Sequence, residues 1–448
     1  MGIKKTTGVF DIFSDPFQRF FRTEASSGIL LIIATILALF WANSPWSGMY
    51  HNIINYKLTF QLGELFIISK SLLLWVNDGL MAIFFFVVGI EIKREVLTGE
   101  LSDIKQASMP VIAAIGGMVV PALLFIGLNY GKPGIEGWGI PMATDIAFSL
   151  GILSLLGKRV PLNLKIFLTA FAIVDDIGAV IIIALFYTSG IQWTMILISA
   201  GLFAILIIAN LSGFRNINFY IVIGFIIWYL FLKSGIHPTI AGVLLAFSIP
   251  ANRKIRIPLF VNQVQKNLDE FCPTDCEDGI LLASNQLVAI DNMEYYIEKV
   301  QSPLQRLEHS LHGFVTFFVI PVFAFANAGV IFGGNHDLSG VDALTIDIAV
   351  SLLIGKFLGV FGFTYLCTKL GFLKLPGNLK WVHFMGLGLL GGVGFSMSIF
   401  ISTLAFSDIL FLNHAKMGIL IGSFISGISG YFLLRATLKK TNEDSKTE

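Results

Sequence analysis

Long apolar runs separated by short polar ones dominate this chain. About 17 to 25 apolar residues cross a hydrocarbon layer as a helix, and shorter runs qualify where Gly or Pro interrupts them. On that basis the pattern predicts about twelve spans: 28–43, 72–91, 108–129, 138–156, 164–187, 192–211, 217–233, 236–250, 311–332, 345–368, 380–406 and 413–437. Hydrocarbon offers backbone N–H and C=O groups no partner, so such runs must satisfy their own hydrogen bonds. They are too long and too uniformly apolar for barrel strands. The predicted fold class is therefore an all-α polytopic membrane protein, a single membrane domain over 28–437 with polar ends at 1–27 and 438–448.

Three connections have patterns of their own. Residues 1–27 intersperse Phe10, Phe13, Phe17, Phe20 and Phe21 with Lys4, Lys5, Arg19 and Arg22, as an amphipathic segment at headgroup level does. Within the 44–71 connection, Lys57 to Leu62 alternate polar and apolar with period two, which predicts a strand or hairpin. Its open edge suits pairing with a second copy of the chain, and packing on its own bundle is the alternative. The long polar stretch 251–310 carries helical spacing over Ile280 to His312 and is too poor in apolar residues for its own core, so one or two surface helices are expected there.

Composition sharpens the class. Hydrophobic residues make up 55% of the chain and charged ones 13%, against about 25% charged in a typical soluble domain. A net charge of +1 leaves no basic excess to neutralise phosphates, which argues against a nucleic-acid partner. Lys and Arg favour one set of connections, among them Lys93, Arg94, Lys158, Arg159, Arg215, Lys254 and Arg256. By the positive-inside bias that set is cytoplasmic, and so are both termini.

Four features depart from apolar monotony. Asp175 and Asp176 stand side by side in the middle of the fifth run, where each carboxylate costs about 2.5–3.5 kcal/mol on insertion scales. Two neighbouring carboxylates in a dry site cannot both ionise cheaply, so a cation and protons compete for the same oxygens. The fourth run is short and holds Pro141, Thr144 and Asp145, a combination expected of an interrupted helix whose freed amino-terminal ends favour an anion. The eleventh run carries Gly386, Gly388, Gly391, Gly392 and Gly394, which suits either an unwound segment or close helix packing. Lys356, near the centre of the tenth run, needs a counter-ion among Asp145, Asp175 and Asp176. A structural salt bridge is the plain alternative to transport for these groups.

Interrupted runs at corresponding places in spans three to five and ten to twelve suggest two inverted three-helix repeats around a midplane site. Further stretches stand out as motifs: Ala143–Phe148 (ATDIAF), Ala172–Ala179 (AIVDDIGA), Phe323–Gly329 (FAFANAG), Gly355–Lys356 and Gly394–Phe400 (GFSMSIF). On these residues, and over nearly its whole length, the chain looks like an NhaA-type sodium/proton antiporter, a family that is itself a type example of inverted repeats.

That resemblance implies twelve helices, broken fourth and eleventh spans that cross, a homodimer and a bacterial inner-membrane location. It implies no cofactor; Na+, Li+ and H+ are the transported ions. It assigns Asp175 and Asp176 to cation and proton binding, has Asp145 balance the positive half-helix ends, pairs Lys356 with Asp175, and sets Thr144 in the crossing. It also implies electrogenic, alkaline-activated export of Na+ through Glu91, Arg94, Glu95, Glu308, His309 and His312, with His237 as a further pH-linked position. The two competing classes are a non-transport membrane protein with buried ion pairs and a carrier of the same build that moves an organic anion with Na+.

Overall fold

The structure is a computed structural model describing residues 24–63, 66–188, 190–272, 281–331, 341–372, 375 and 379–438. The amphipathic reading of the first residues and the polar tail beyond 438 therefore lie outside the described residues.

The described chain is overwhelmingly helical, as its apolar runs require. Helix α1 (Glu24–Ala42) bends by 116° into α2 (Ser47–Ile54). A hairpin of β1 (Lys57–Leu62) and β2 (Phe66–Ser71) follows, antiparallel with Lys57 opposite Ser71, so the period-two stretch is a strand with a partner in its own chain. Then come α3 (Leu72–Thr98), α4 (Ile104–Leu128), a 3-10 segment (Ile135–Met142), α5 (Ile146–Ser154), α6 (Leu162–Phe186), α7 (Trp193–Leu211), α8 (Ile217–Ser234) and α9 (Thr239–Ser248). The 251–310 stretch forms α10 (Ile257–Phe271) and α11 (Ser284–Val300), which pack on each other. The chain ends with α12 (Pro303–Asn327), α13 (Ala343–Lys369), α14 (Trp381–Gly391), α15 (Phe395–Ala405) and α16 (Ile409–Thr437).

Among the described residues eight helices are long and apolar enough to cross a membrane, or up to ten if each bent pair counts as one span. Three of the twelve expected runs differ in detail. The fourth is a 3-10 segment and a nine-residue helix flanking an extended break at Ala143–Asp145, because Pro141 cannot donate to a continuous ladder. The eighth gives only the ten-residue α9. The ninth begins at Pro303, eight residues before the expected start. Ser302 caps it by accepting the backbone N–H of Gln305, and its first turns carry the polar Gln305, Arg306 and Glu308 that mask it in hydropathy.

Close helix approach is bought with glycine. A Cβ on Gly116 would stand 2.3 Å from the Gly359 carbonyl oxygen, so α4 and α13 touch backbone to backbone; one turn away, Gly355 packs on Pro121. The turn before Lys356, Ser351–Gly355, is π-helical, and so are Val76–Leu80 and Val315–Val319. Such single wide turns shift the phase of the residues after them, which here sets Lys356 against α6.

Candidate ion site

The two broken segments meet at their breaks. The Asp145 backbone N–H donates to the Val393 carbonyl at 2.6 Å, and the Thr144 hydroxyl donates to the Gly391 carbonyl at 2.8 Å. Ser149 and Ser398 hydroxyls donate to the Leu390 and Ile140 carbonyls. Groups freed by interrupting two helices are thus satisfied by the opposite segment and by short hydroxyl side chains, as a dry interior demands. Gly394 is obligatory here: a Cβ would stand 2.2 Å from Ser398 Oγ and 2.7 Å from the Ala143 carbonyl oxygen.

Asp145 caps two helices with one carboxylate. Its Oδ1 accepts the Phe148 N–H of α5 at 3.0 Å, and its Oδ2 accepts both the backbone N–H, at 2.9 Å, and the hydroxyl of Ser396 in the first turn of α15. An anion against two amino-terminal ends is favoured by both dipoles.

On α6, Asp175 and Asp176 differ because successive helical residues point about 100° apart. Asp175 faces α13, where Lys356 Nζ donates to both its oxygens at 2.9 and 2.7 Å, neither side chain having any exposed surface. The ammonium also lies 5.6 Å from the centre of the Phe171 ring, one turn back on α6. Asp176 has no such cation. Its Oδ1 is buried without a hydrogen-bond partner, and the nearby charges that bear on it include Asp175, Asp145 and Glu91. None of Thr144, Asp145, Asp175, Asp176 and Lys356 is more than 2% exposed.

A cavity of about 420 Å³ reaches toward this centre from the end of the bundle that carries Arg94. Its lining runs from Glu91, Arg94, Glu308 and His312 to Ile146, next to Asp145, and Ile173, one turn before Asp176. Arg94 bridges Glu308 and Glu95, the latter at 2.7 Å, and His312 Nδ1 lies 3.5 Å from Glu91. The expected cluster of Glu91, Arg94, Glu95, Glu308 and His312 therefore assembles at the cavity.

One expected member, His309, does not join it, and the separate pH-linked position His237 lies elsewhere. His309 is exposed on the outer side of α12. His237 stands at the hairpin end, where its Nε2 is 3.6 Å from Asp78, itself paired with Lys70, and its ring meets Phe400 edge-on. Sequence reasoning missed Ser396, Phe171 and Ser351, whose buried hydroxyl lacks a partner. Only Ser396 carried a signal, a small polar residue just after the glycine-rich break.

The chemistry available is that of hard oxygen ligands. Among the described residues no three His, Cys, Asp or Glu side chains gather closely enough to hold a resident metal ion. The Asp176 oxygen that lacks a partner is a hard ligand of the kind that takes a proton or an alkali cation.

A family model described as Na+/H+ antiporter 1 matches residues 18–434. Curated relatives agree with it in length as well as sequence. The chain is 49% identical over 425 residues to the Na+/H+ antiporter NhaA of Oleidesulfovibrio alaskensis, spanning 95% of this chain and 94% of that protein. It is 46% identical over 430 residues to NhaA of Phocaeicola vulgatus, covering 95% and 96%. For NhaA 2 of Syntrophotalea carbinolica the identity is 45% over 429 residues, covering 95% and 98%. With the match running through both broken helices and the paired aspartates between them, this chain belongs to the Na+/H+ antiporter family typified by NhaA.

Proposed function

We propose that this protein is a secondary transporter that expels Na+ or Li+ in exchange for protons across a bacterial inner membrane. One observation carries the reading: Asp176, one turn beyond the cavity-lining Ile173, keeps a buried carboxylate oxygen without a partner, while the neighbouring Asp175 is already engaged by Lys356. A buried acceptor left unmade costs about 1–3 kcal/mol or more when charged, so Asp176 gains from either a proton or a bare cation, and the two exclude each other. Asp176 is the direct ligand in this account, with Asp175 second and Thr144 beside them. Lys356 holds Asp175, and Asp145 balances the two half-helix amino termini.

The cation enters from the cytoplasm through the cavity past Glu91 and displaces protons. The bundle then rocks to open the site outward, where protons displace the cation. Two protons per Na+ would carry net positive charge inward, driven by about 2.3 kcal/mol per charge per 100 mV. Twelve spans with two inverted three-helix repeats fit the twelve apolar runs and the meeting of the breaks at Ala143–Asp145 and Gly392–Gly394. The charge bias supports cytoplasmic termini, and the β1 edge supports a homodimer. The cluster around Arg94 and Glu308 lies at the cavity entrance, where a pH-sensitive gate has leverage.

A sodium-coupled carrier of organic anions is disfavoured because such a site wants an uncommitted cation, and Lys356 is spent on Asp175. The test is dissipation of a pH gradient in everted vesicles from cells stripped of their own exchangers. NaCl or LiCl should collapse the gradient and choline chloride should not. Equal responses to all three salts would remove the assignment.

A further inference from the structure

At the end of the bundle opposite Arg94, a second line of buried polar groups runs along α13. Helix α4 starts at Ile104, just after the end of α3 that bears Arg94, and its twenty-five residues rise about 37 Å, so its last turn stands at the other end of the bundle. Lys132 follows that turn, and Asp347, near the start of α13, has its Oδ2 3.9 Å from the Lys132 ammonium. One turn deeper on the same side of α13 comes Ser351, and one more turn brings Gly355, which packs on Pro121 of α4. The opposite side, with Thr345, Ile348, Ala349 and Leu352, is filled by α16 at Gly418 and Gly422.

Both groups hold open positions in a dry interior. Asp347 is 9% exposed and Ser351 has no exposed surface, yet neither the Asp347 Oδ2 nor the Ser351 hydroxyl has a hydrogen-bond partner among the described residues. The Lys132 ammonium is too far for a hydrogen bond and sits on a half-exposed side chain. An ion pair between Lys132 and Asp347 accounts for the carboxylate alone; it leaves a serine where alanine would pack without a stranded hydroxyl. Residues four apart on a helix stand about 5–6 Å apart, the distance one water spans with two hydrogen bonds. Ser351 also opens the π turn that ends at Gly355, so Lys356 follows directly, about 7.5 Å further along the axis. The other titratable groups on the elements packed around Asp347 are the exposed Tyr130 after α4, the exposed Glu136 of the 3-10 segment, and Asp408, His414 and Lys416 at the start of α16.

We propose that Asp347 and Ser351 form a proton relay from the outer side of the membrane to the Asp175–Lys356 pair, with water held between the carboxylate and the hydroxyl. The inference rests on the exchange reading above and adds a route by which outer protons reach the site. A proton taken up at Asp347 Oδ2 passes to the bridging water, which gives a proton to the Ser351 oxygen as that hydroxyl releases its own inward through a second water to Asp175. Asp347 and Ser351 return to their starting forms, and the carboxylate beside Lys356 becomes a carboxylic acid. Two oxygens in file suffice for a proton, whereas hard metal cations take about six oxygens or more, so the line carries protons and not the cation.

The experiment uses the full chain in everted vesicles, whose lumen is the outer side, and reads the initial rate of radioactive Na+ uptake at saturating external Na+ and fixed external pH while the luminal pH is stepped from acidic to alkaline. Asp347→Asn should slow uptake at least tenfold at alkaline luminal pH, where proton supply limits, and should approach the wild-type rate as the lumen is acidified. Asp347→Glu should keep the wild-type profile. Ser351→Ala, which removes only an unpartnered hydroxyl and so keeps the fold, should shift the profile in the same direction as Asp347→Asn and gives the reading by itself if that variant does not insert. Variant profiles that superimpose on wild type, or losses equal at every luminal pH, overturn the proposal. Absence of Na+ uptake by the wild type at any luminal pH would instead remove the exchange reading on which it rests.

Discussion

Lys356 and Asp175 form a fully buried, bidentate pair, with Nζ 2.9 and 2.7 Å from the two carboxylate oxygens. Because the ammonium neutralises Asp175, the next residue, Asp176, can be left with an open oxygen without placing two bare charges together. Breaking a buried pair strands a charge at a cost of about 3–5 kcal/mol, whereas removing both partners is far cheaper. Lys356→Gln should therefore lower the thermal unfolding midpoint of the purified protein sharply. Adding Asp175→Asn should restore most of it, and additive losses would show that the two groups do not form a stabilising unit.

Asp145 and Ser396 give a second contrast. Ser396→Ala removes one donor and leaves the backbone N–H, so a loss of about 1–2 kcal/mol in stability is expected, with exchange retained. Asp145→Ala uncaps α5 and α15 together and should cost more than Ser396→Ala in both stability and exchange. Thermal unfolding and vesicle exchange measured on both variants decide the order.

Glycines in the crossing differ in how much room they have. A methyl group on Gly394 would meet the Ala143 carbonyl oxygen at 2.7 Å, whereas on Gly388 the nearest neighbour is the Phe357 carbonyl oxygen at 3.3 Å. Gly394→Ala should abolish exchange, and Gly388→Ala should leave at least half of it. The measurement is the initial rate of Na+-driven gradient collapse, normalised to protein in the membrane.

Competition between protons and Na+ fixes the sign of the pH dependence. Raising the pH removes the competitor, so the KM for Na+ should fall by about tenfold per pH unit for each proton displaced, and level off once the aspartates are deprotonated. The His312–Glu91 contact, charge-assisted only while the imidazole is protonated, weakens as the pH rises. His312→Ala should therefore flatten the low-pH side of the rate profile, and His309→Ala, on an exposed position, should not.

Much of the site was legible because a membrane interior penalises each of its members. Asp145, Asp175, Asp176 and Lys356 stand out in apolar runs for that reason, and Pro141 and the glycine cluster mark the breaks. The residues by themselves left three aspartates open as the partner of Lys356, and only the family resemblance singled out Asp175, because the choice depends on the π turn at Ser351–Gly355 and on Gly355 packing against Pro121. Nor was the bond from Thr144 to Gly391, because pairing across 247 positions leaves no period in either segment. The start of α12 was hidden by polar first turns that carry Gln305, Arg306 and Glu308.

The most direct test of shared occupancy of Asp176 is proton release on cation binding by the purified protein in weakly buffered detergent solution. Wild type should acidify the medium on addition of NaCl or LiCl, saturably, and should not respond to choline chloride. Asp176→Asn, folded and inserted, should release nothing. Undiminished release from that variant would contradict the account.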